Sequence, residues 1–333
     1  MRRLTAFVLT TFVLTTFVLA ALTTATSAQA QTYPARPVNI IVSLAAGTGM
    51  DTLVRVYADR LSQDLGQTVV VENRPGNAGL VAGDAIAKSA PDGYTLGVFT
   101  SAVMAIRPTL LKKMPFSPSA DLVPISLYVK SPFVFIVDPK LPVHSVADFV
   151  KYAKERPGKL SYSSSGIGGA PHLTAELLKQ KFGLDLTHVP YRNSPQSIAD
   201  VAAGHVPMAI AEAGASLPLI KDGRLRALAV TSLTRFKSIP DVPTLAQATG
   251  IANLEAVSWH VLLARRGTPA PIAGKLHDEM ARIMANPEIK GKIEAIGLIP
   301  HESPSIEGIE SYIQAEADKW GALVRSLGLA GSG

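Results

Sequence analysis

The chain has no cysteine among its 333 residues, which excludes disulfide staples, thiolate catalysis and a lipid-modified cysteine anchor. It has no basic run longer than pairs such as Lys112-Lys113 and Arg265-Arg266, so a nucleic-acid partner is not expected. After the first thirty residues no segment approaches the roughly 18 uninterrupted apolar residues that a membrane span requires. The histidines are scattered singly, and His301-Glu302 lacks the second histidine of an H-E-x-x-H zinc site, so no metal is expected. Neither nucleotide fingerprint is complete. The P-loop needs a lysine directly after its last glycine, but after Gly166 the first lysine is Lys179. The dinucleotide pattern G-x-G-x-x-G fails at Thr52 after Gly47-Thr48-Gly49, and at Pro171 after Gly166-Ile167-Gly168. No G-x-S-x-G nucleophile elbow follows the N-terminal segment.

That N-terminal segment reads as an export signal. Arg2 and Arg3 precede an apolar run from Phe7 to Leu22, and Ala28-Gln29-Ala30 is a small-residue cleavage site. Cleavage after Ala30 is expected to release a soluble protein outside the cytoplasmic membrane; an uncleaved anchor is the alternative. Loss of the two arginines lowers the formal charge from +6 to +4, a mild excess that suits a small acidic ligand.

The remaining 300 or so residues alternate short β-branched runs with longer amphipathic stretches, which predicts an α/β fold with mostly parallel sheets and two lobes. Strands are expected at 38–42, 68–71, 94–99, 125–129, 133–137, 160–163, 186–189, 208–211 and 225–231. Helices are expected from about Asp51 to Gly66, from Ser145 to Lys154, from His172 to Phe182 and through most of the tail beyond Pro269.

Two stretches share one pattern of strand, small-residue loop and helix. Ile40-Ile41-Val42 runs into SLAAGTGMD, and Leu160-Ser161-Tyr162-Ser163 runs into SSGIGGAPH. Ligands of open α/β sheets bind beyond the carboxyl ends of strands, at such loops. A helix N-terminus presents unpaired N–H groups and a partial positive charge of about half a unit. Glycine admits a ligand close to the backbone, and serine or threonine adds hydroxyls. Each loop is therefore a candidate anion cup made without lysine or arginine. A tight turn with no ligand is the plain alternative, and His172, at the start of its helix, either orients a ligand or is structural.

The chain resembles the periplasmic solute receptors of tripartite tricarboxylate transporters, the Bug receptors. The matching stretches are YPARPVNIIV from Tyr33, GQTVVVENRPGNAG from Gly66, PDGYTL from Pro91, PGKLSYSSSGIG from Pro157, HLTAELLK from His172, HVPYR from His188, GRLRALAVT from Gly223, PDVPT from Pro240 and GTPAP from Gly267. The resemblance implies a type II, venus-flytrap fold without catalysis or cofactor, with a central sheet in each of two lobes. Lobe one would be residues 31–131 plus 259–333, and lobe two 132–258, hinged near Ser131-Pro132 and Trp259. It further implies a monomer that captures a small carboxylate and delivers it to a two-subunit membrane permease.

Carried over residue by residue, Gly47 and Asp51 match the family's first loop. Ser43, Leu44 and Thr48 replace its proline, aromatic residue and second glycine. Ser164, Ser165, Gly166 and His172 match the second loop. In HVPYRN, Tyr191 and Arg192 precede Asn193, which stands where glycine is usual, and Glu212 sits where an aspartate commonly faces the cleft. With Ala46, Ser101 and Gly168 these complete the candidate ligand contacts. The amides of Gly47, Thr48 and Gly166 are expected to take the anionic end; Tyr191, Arg192 and Glu212 are expected to sort the other. Two further readings are a secreted serine hydrolase pairing Ser164 or Ser165 with His172, and a ligand sensor for a membrane signalling partner.

Overall fold

The run Val38–Val42 becomes β1, with four of its five side chains buried, as expected of a strand covered on both faces. The computed structural model describes residues 32–76, 79–191 and 193–332. The leader at 1–30, its cleavage after Ala30, and Arg192 lie outside the described residues. Residues 37–333 form one compact unit. Among the described residues no helix is long and apolar enough to cross a membrane.

Ten more strands follow: β2 Val69–Asn73, β3 Thr95–Thr100, β4 Leu122–Ser131, β5 Phe133–Val137, β6 Leu160–Ser164, β7 Leu186–Pro190, β8 Met208–Glu212, β9 Arg226–Val230, β10 Ser258–Arg265 and β11 Ile299–Pro300. They form two sheets, one ordered β11-β4-β10-β3-β1-β2 and the other β7-β6-β8-β5-β9. The fold is two-lobed α/β with a sheet in each lobe, as expected.

The sheets are not mostly parallel, which corrects one expectation. Of the nine strand pairings among the described residues, four are parallel and five antiparallel. The reason lies in how the chain passes between sheets. Strands β1, β3, β6 and β8 each end at a loop leading into a helix or turn. By contrast β5 and β10 begin where those strands end: Phe133 pairs with Glu212, the last residue of β8, and His260 pairs with Thr100, the last of β3. A segment arriving from the other sheet enters at that edge and must run the opposite way. Strand β10 is the central strand that periodicity did not mark, because SWHVLLAR carries a tryptophan and a histidine in its first half.

Buried polar bonds set the relation of the elements around this crossing. Trp259 and Trp320 both donate Nε1–H to the same Glu316 oxygen, each at 3.1 Å. Glu316 is 7% exposed, so this shared carboxylate pins the closing helix Ile306–Ser326 to the start of β10. Lys130, near the end of β4, meets Glu255 at 3.1 Å just before β10. At the opposite crossing the Ala213 amide donates to the Pro132 carbonyl at 3.2 Å, tying β8 to the chain between β4 and β5.

Candidate ligand-binding site

The first loop leaves β1 and enters the helix Gly49–Leu65. Gly47 has φ +81°, and a Cβ built there would meet nothing within 4 Å, so glycine is required by the backbone twist rather than by crowding. Thr48, not Asp51, is the N-cap: its hydroxyl accepts from the Asp51 amide at 3.3 Å and donates to the Ala45 carbonyl at 2.9 Å. The buried Asp51 carboxylate instead accepts from the Gly47 amide (2.8 Å), Asn73 Nδ2 (2.9 Å) and Arg55 Nε (3.1 Å). Asn73 also donates to the Leu44 carbonyl at 3.0 Å. Burial pushes the Asp51 pKa up, but the bonds from Gly47, Arg55 and Asn73 outweigh it and hold the carboxyl below its ordinary value. Asp51 therefore fastens this loop from behind. Leu44 is half-buried while Ala46 and Gly47 are exposed at the tip.

The second loop leaves β6. Ser164 is fully buried and lies 2.7 Å from His188 Nε2; its hydroxyl also donates to the Gly166 carbonyl (3.2 Å) and accepts from the Gly166 amide (3.3 Å). The Gly168 amide donates to His172 Nδ1 at 3.1 Å, which makes Nε2 the protonated nitrogen of a neutral His172. His172 stacks on His188 at 4.2 Å, and His188 on Tyr162 at 4.8 Å. Tyr162 donates to Glu176 at 2.5 Å, and Lys179 meets the same oxygen at 2.7 Å. Burial, then the neighbouring His172, pushes His188 down to about 4; burial also lowers His172. Both rings are neutral near pH 7 and brace the loop from beneath.

These bonds correct the expectation about main-chain donors. The Gly47 amide is engaged by Asp51, the Gly166 amide by Ser164, and the Gly168 amide by His172. The Thr48 amide points to the Ala45 carbonyl at a long 3.4 Å. Amides without a partner among the described residues include those of Ala46, Gly49 and Met50 at the first loop, and of Ser165, Ile167, Ala170 and His172 at the second. Ser165 is half-buried, and its hydroxyl has no partner among the described residues.

The pairing required for the serine-hydrolase reading does not form. His172 is bonded to the Gly168 amide, and the histidine that meets Ser164 is His188. No carboxylate among the described residues bonds His188 to orient it, and the buried Ser164 hydroxyl already serves its own loop.

Further along this edge, Tyr191 donates its hydroxyl to Asp200 at 2.6 Å, and burial with that bond raises its pKa to about 12. Its amide donates to the Ser164 carbonyl at 2.9 Å. Asn193 caps the helix Ser194–Ala203, accepting from the Gln196 amide at 2.9 Å, which accounts for asparagine there. Glu212 ends β8 with no side-chain partner among the described residues. Its carboxyl is open to solvent yet surrounded by enough protein that desolvation raises its pKa, as for a group in a concave surface. Ser101, after β3, is fully buried with its hydroxyl 2.9 Å from that of Ser258.

The candidate residues thus lie at the carboxyl ends of neighbouring strands: β1 and β3 in one sheet, and β7, β6 and β8 in the other. The two edges meet through residues 101–110, a π-turn at Ala102–Ile106 followed by one turn of α-helix, Arg107–Leu110. A Cβ built on Gly79 would lie 2.6 Å from Val103 and 3.5 Å from Ser43, so Val103 packs beside the first loop. A Cβ on Gly168 would lie 2.2 Å from Leu110 Cδ2, so Leu110 presses on the second loop. Sequence patterning missed His188, Ser258, Asn73 and Arg107. For Arg107 there was a signal, a lone charge in the apolar stretch AVMAIRPTLL. Among the described residues no three His, Asp or Glu side chains come together to hold a metal.

Known proteins resemble the chain over almost its whole length. A sequence profile described as "Tripartite tricarboxylate transporter family receptor" matches residues 53–329. BugT of Bordetella pertussis is 34% identical over 305 residues, covering 91% of this chain and 93% of its own. Among solved structures, R. palustris Rpa4515 with adipate superposes with a TM-score of 0.80 at 34% identity, covering 90% of this chain and 99% of that one. The periplasmic binding protein BugD does so with a TM-score of 0.76 at 29% identity, covering 90% and 99%. Fold and family are those of solute-binding receptors. The chain belongs to the receptor family of the tripartite tricarboxylate transporters.

Proposed function

We propose that this protein is a periplasmic receptor that closes on a small organic acid and delivers it, as a monomer, to a two-subunit membrane permease. Lobe one comprises residues 31–131 with 259–333 and lobe two 132–258, hinged at Ser131-Pro132 and Trp259. The observation that carries this reading is the convergence of two glycine loops, one from each sheet, on the single segment 101–110. Open first-turn amides at Gly49, Met50, Ala170 and His172 supply donors, with the hydroxyl of Ser165 beside them. The engaged residues Asp51, Thr48, Ser164 and Gly166 hold the loops in shape, and Gly168 holds the approach to Leu110. Leu44 and Ala46 line the first loop's tip. Tyr191, Arg192 and Glu212 sort the far end of the ligand, and Ser101 sits beneath the junction. The adipate bound by the relative Rpa4515 supports an acid as ligand.

Contacts made across the cleft favour the closed state only when ligand is present. Thermal melting against a library of aliphatic and aromatic carboxylates tests this. A true ligand at a hundred times its dissociation constant should add about 2.7 kcal/mol. A flat response to every acid, with stabilisation by sugars or cations, would overturn the assignment.

A further inference from the structure

Arg107 opens the single turn Arg107–Leu110, directly after the π-turn. Its Nε is buried and has no hydrogen-bond partner; among the described residues it is the one lysine or arginine nitrogen in that state. No carboxylate among the described residues pairs with it, and burial lowers its pKa. A half-buried cation left unpaired is destabilising, so its presence points to an anion that arrives from outside.

Its position says where that anion would lie. Val103 lies in the π-turn, and Arg107 and Leu110 open and close the single α-turn that follows it. Val103 packs beside Ser43 and the first loop; Leu110 packs against Gly168 of the second. In the chain Arg107 lies between them. The loops on either side, residues 44–50 and 164–169, contain no charged side chain. A π-turn of this kind displaces the residues after it from the regular helical phase, a device common at binding sites.

We propose that Arg107 receives a carboxylate of the bound ligand through its guanidinium fork and makes the site selective for acids over their neutral isosteres. This rests on the receptor reading above, and it names the charged group that the glycine loops lack. The planar fork matches a carboxylate bidentately, which a lysine ammonium does not.

The test uses the full-length protein and its Arg107→Gln and Arg107→Lys variants. Each is titrated calorimetrically with adipate and with C3 to C8 mono- and dicarboxylates; the best acid is then compared with its amide. The wild type should prefer the acid. Arg107→Gln should bind it about 10- to 100-fold more weakly and lose most of the preference over the amide. Arg107→Lys should recover part of the affinity. Without ligand, Arg107→Gln should melt at or above the wild-type temperature, because an unpaired desolvated charge has been removed. Silence of the wild type towards every acid would sink the receptor reading and this inference with it. Binding by the wild type that survives Arg107→Gln within threefold would sink this inference alone. So would a ligand-free Arg107→Gln variant that melts well below the wild type, since Arg107 would then be structural.

Discussion

Gly168→Ala separates the strain in the second loop from the closure of the two lobes. Gly168 has φ +71°, where an alanine costs about 1 kcal/mol, and that cost is carried whether or not the lobes are closed. The new Cβ would also lie 2.2 Å from Leu110 Cδ2, an overlap that cannot persist. Forced overpacking of this kind costs about 1–3 kcal/mol. With Leu110 in the first lobe and Gly168 in the second, as proposed above, an open form relieves the overlap and a closed, ligand-bound form does not. Urea unfolding of ligand-free Gly168→Ala should therefore show a loss of only about 1 kcal/mol. Calorimetric titration with the best acid should show affinity reduced about 5- to 150-fold. Adding Leu110→Val, which removes the Cδ atoms, should restore much of the affinity but none of the backbone term. The double-mutant cycle isolates the contact. If Gly168→Ala binds like the wild type, or if Leu110→Val rescues nothing, the segment 101–110 does not meet the second loop in the bound state.

Two further outcomes follow from the bracing beneath each loop. Asp51→Ala removes three bonds from a buried carboxylate and should lower stability by about 2–3 kcal/mol in urea melts. Because the folded pKa of Asp51 lies below its ordinary value of 3.8, its contribution is complete above about pH 4 and is lost as pH falls through the folded value. The wild-type and Asp51→Asn urea midpoints should therefore converge under strong acid, and a constant gap between them would refute the account. His188 is depressed from 6.5 to about 4, so the unfolded chain takes up its proton first. Stability should accordingly fall as pH drops from 6.5 towards 4 and change little above that window. His188→Phe keeps the stack on Tyr162 and His172 but cannot protonate; its urea midpoint should fall less steeply over the same window. An unchanged slope would mean that His188 does not titrate between the two states.

Much of the scaffold was legible because local physics specifies it. Val38–Val42 and Phe133–Val137 appear with the expected bounds, since short runs dominated by β-branched or apolar residues have few alternatives. Ser145 caps its helix as expected, accepting from the Asp148 amide at 3.0 Å. Asp148, however, reaches back to His144 rather than to the cap, just as Asp51 reaches Gly47 rather than Thr48. In both helices the N3 carboxylate folds one residue further than the capping-box pattern places it. The position of Asp51 was visible in the sequence, but its partner was a matter of loop conformation.

The site was legible as loops and illegible as bonds. Glycine and serine spacing marked both stretches because a strand must turn sharply into a helix there. Whether the Gly47 or Gly166 amide stays open depends on Asp51 and Ser164 rotamers that no pattern specifies. The rival hydrolase reading pairs Ser164 or Ser165 with His172, close in the chain; the ring that meets Ser164 is His188, placed beside it by the parallel pairing of β6 and β7. Sequence alone determined most of the strands, several helices, the two glycine loops and the absence of thiol chemistry, because each follows from side-chain period or composition over a few residues. Tertiary structure decided the mixed sheets, the choice of histidine and the burial of an unpartnered Arg107 nitrogen. Those depend on contacts between segments tens to more than a hundred residues apart, which local period does not encode.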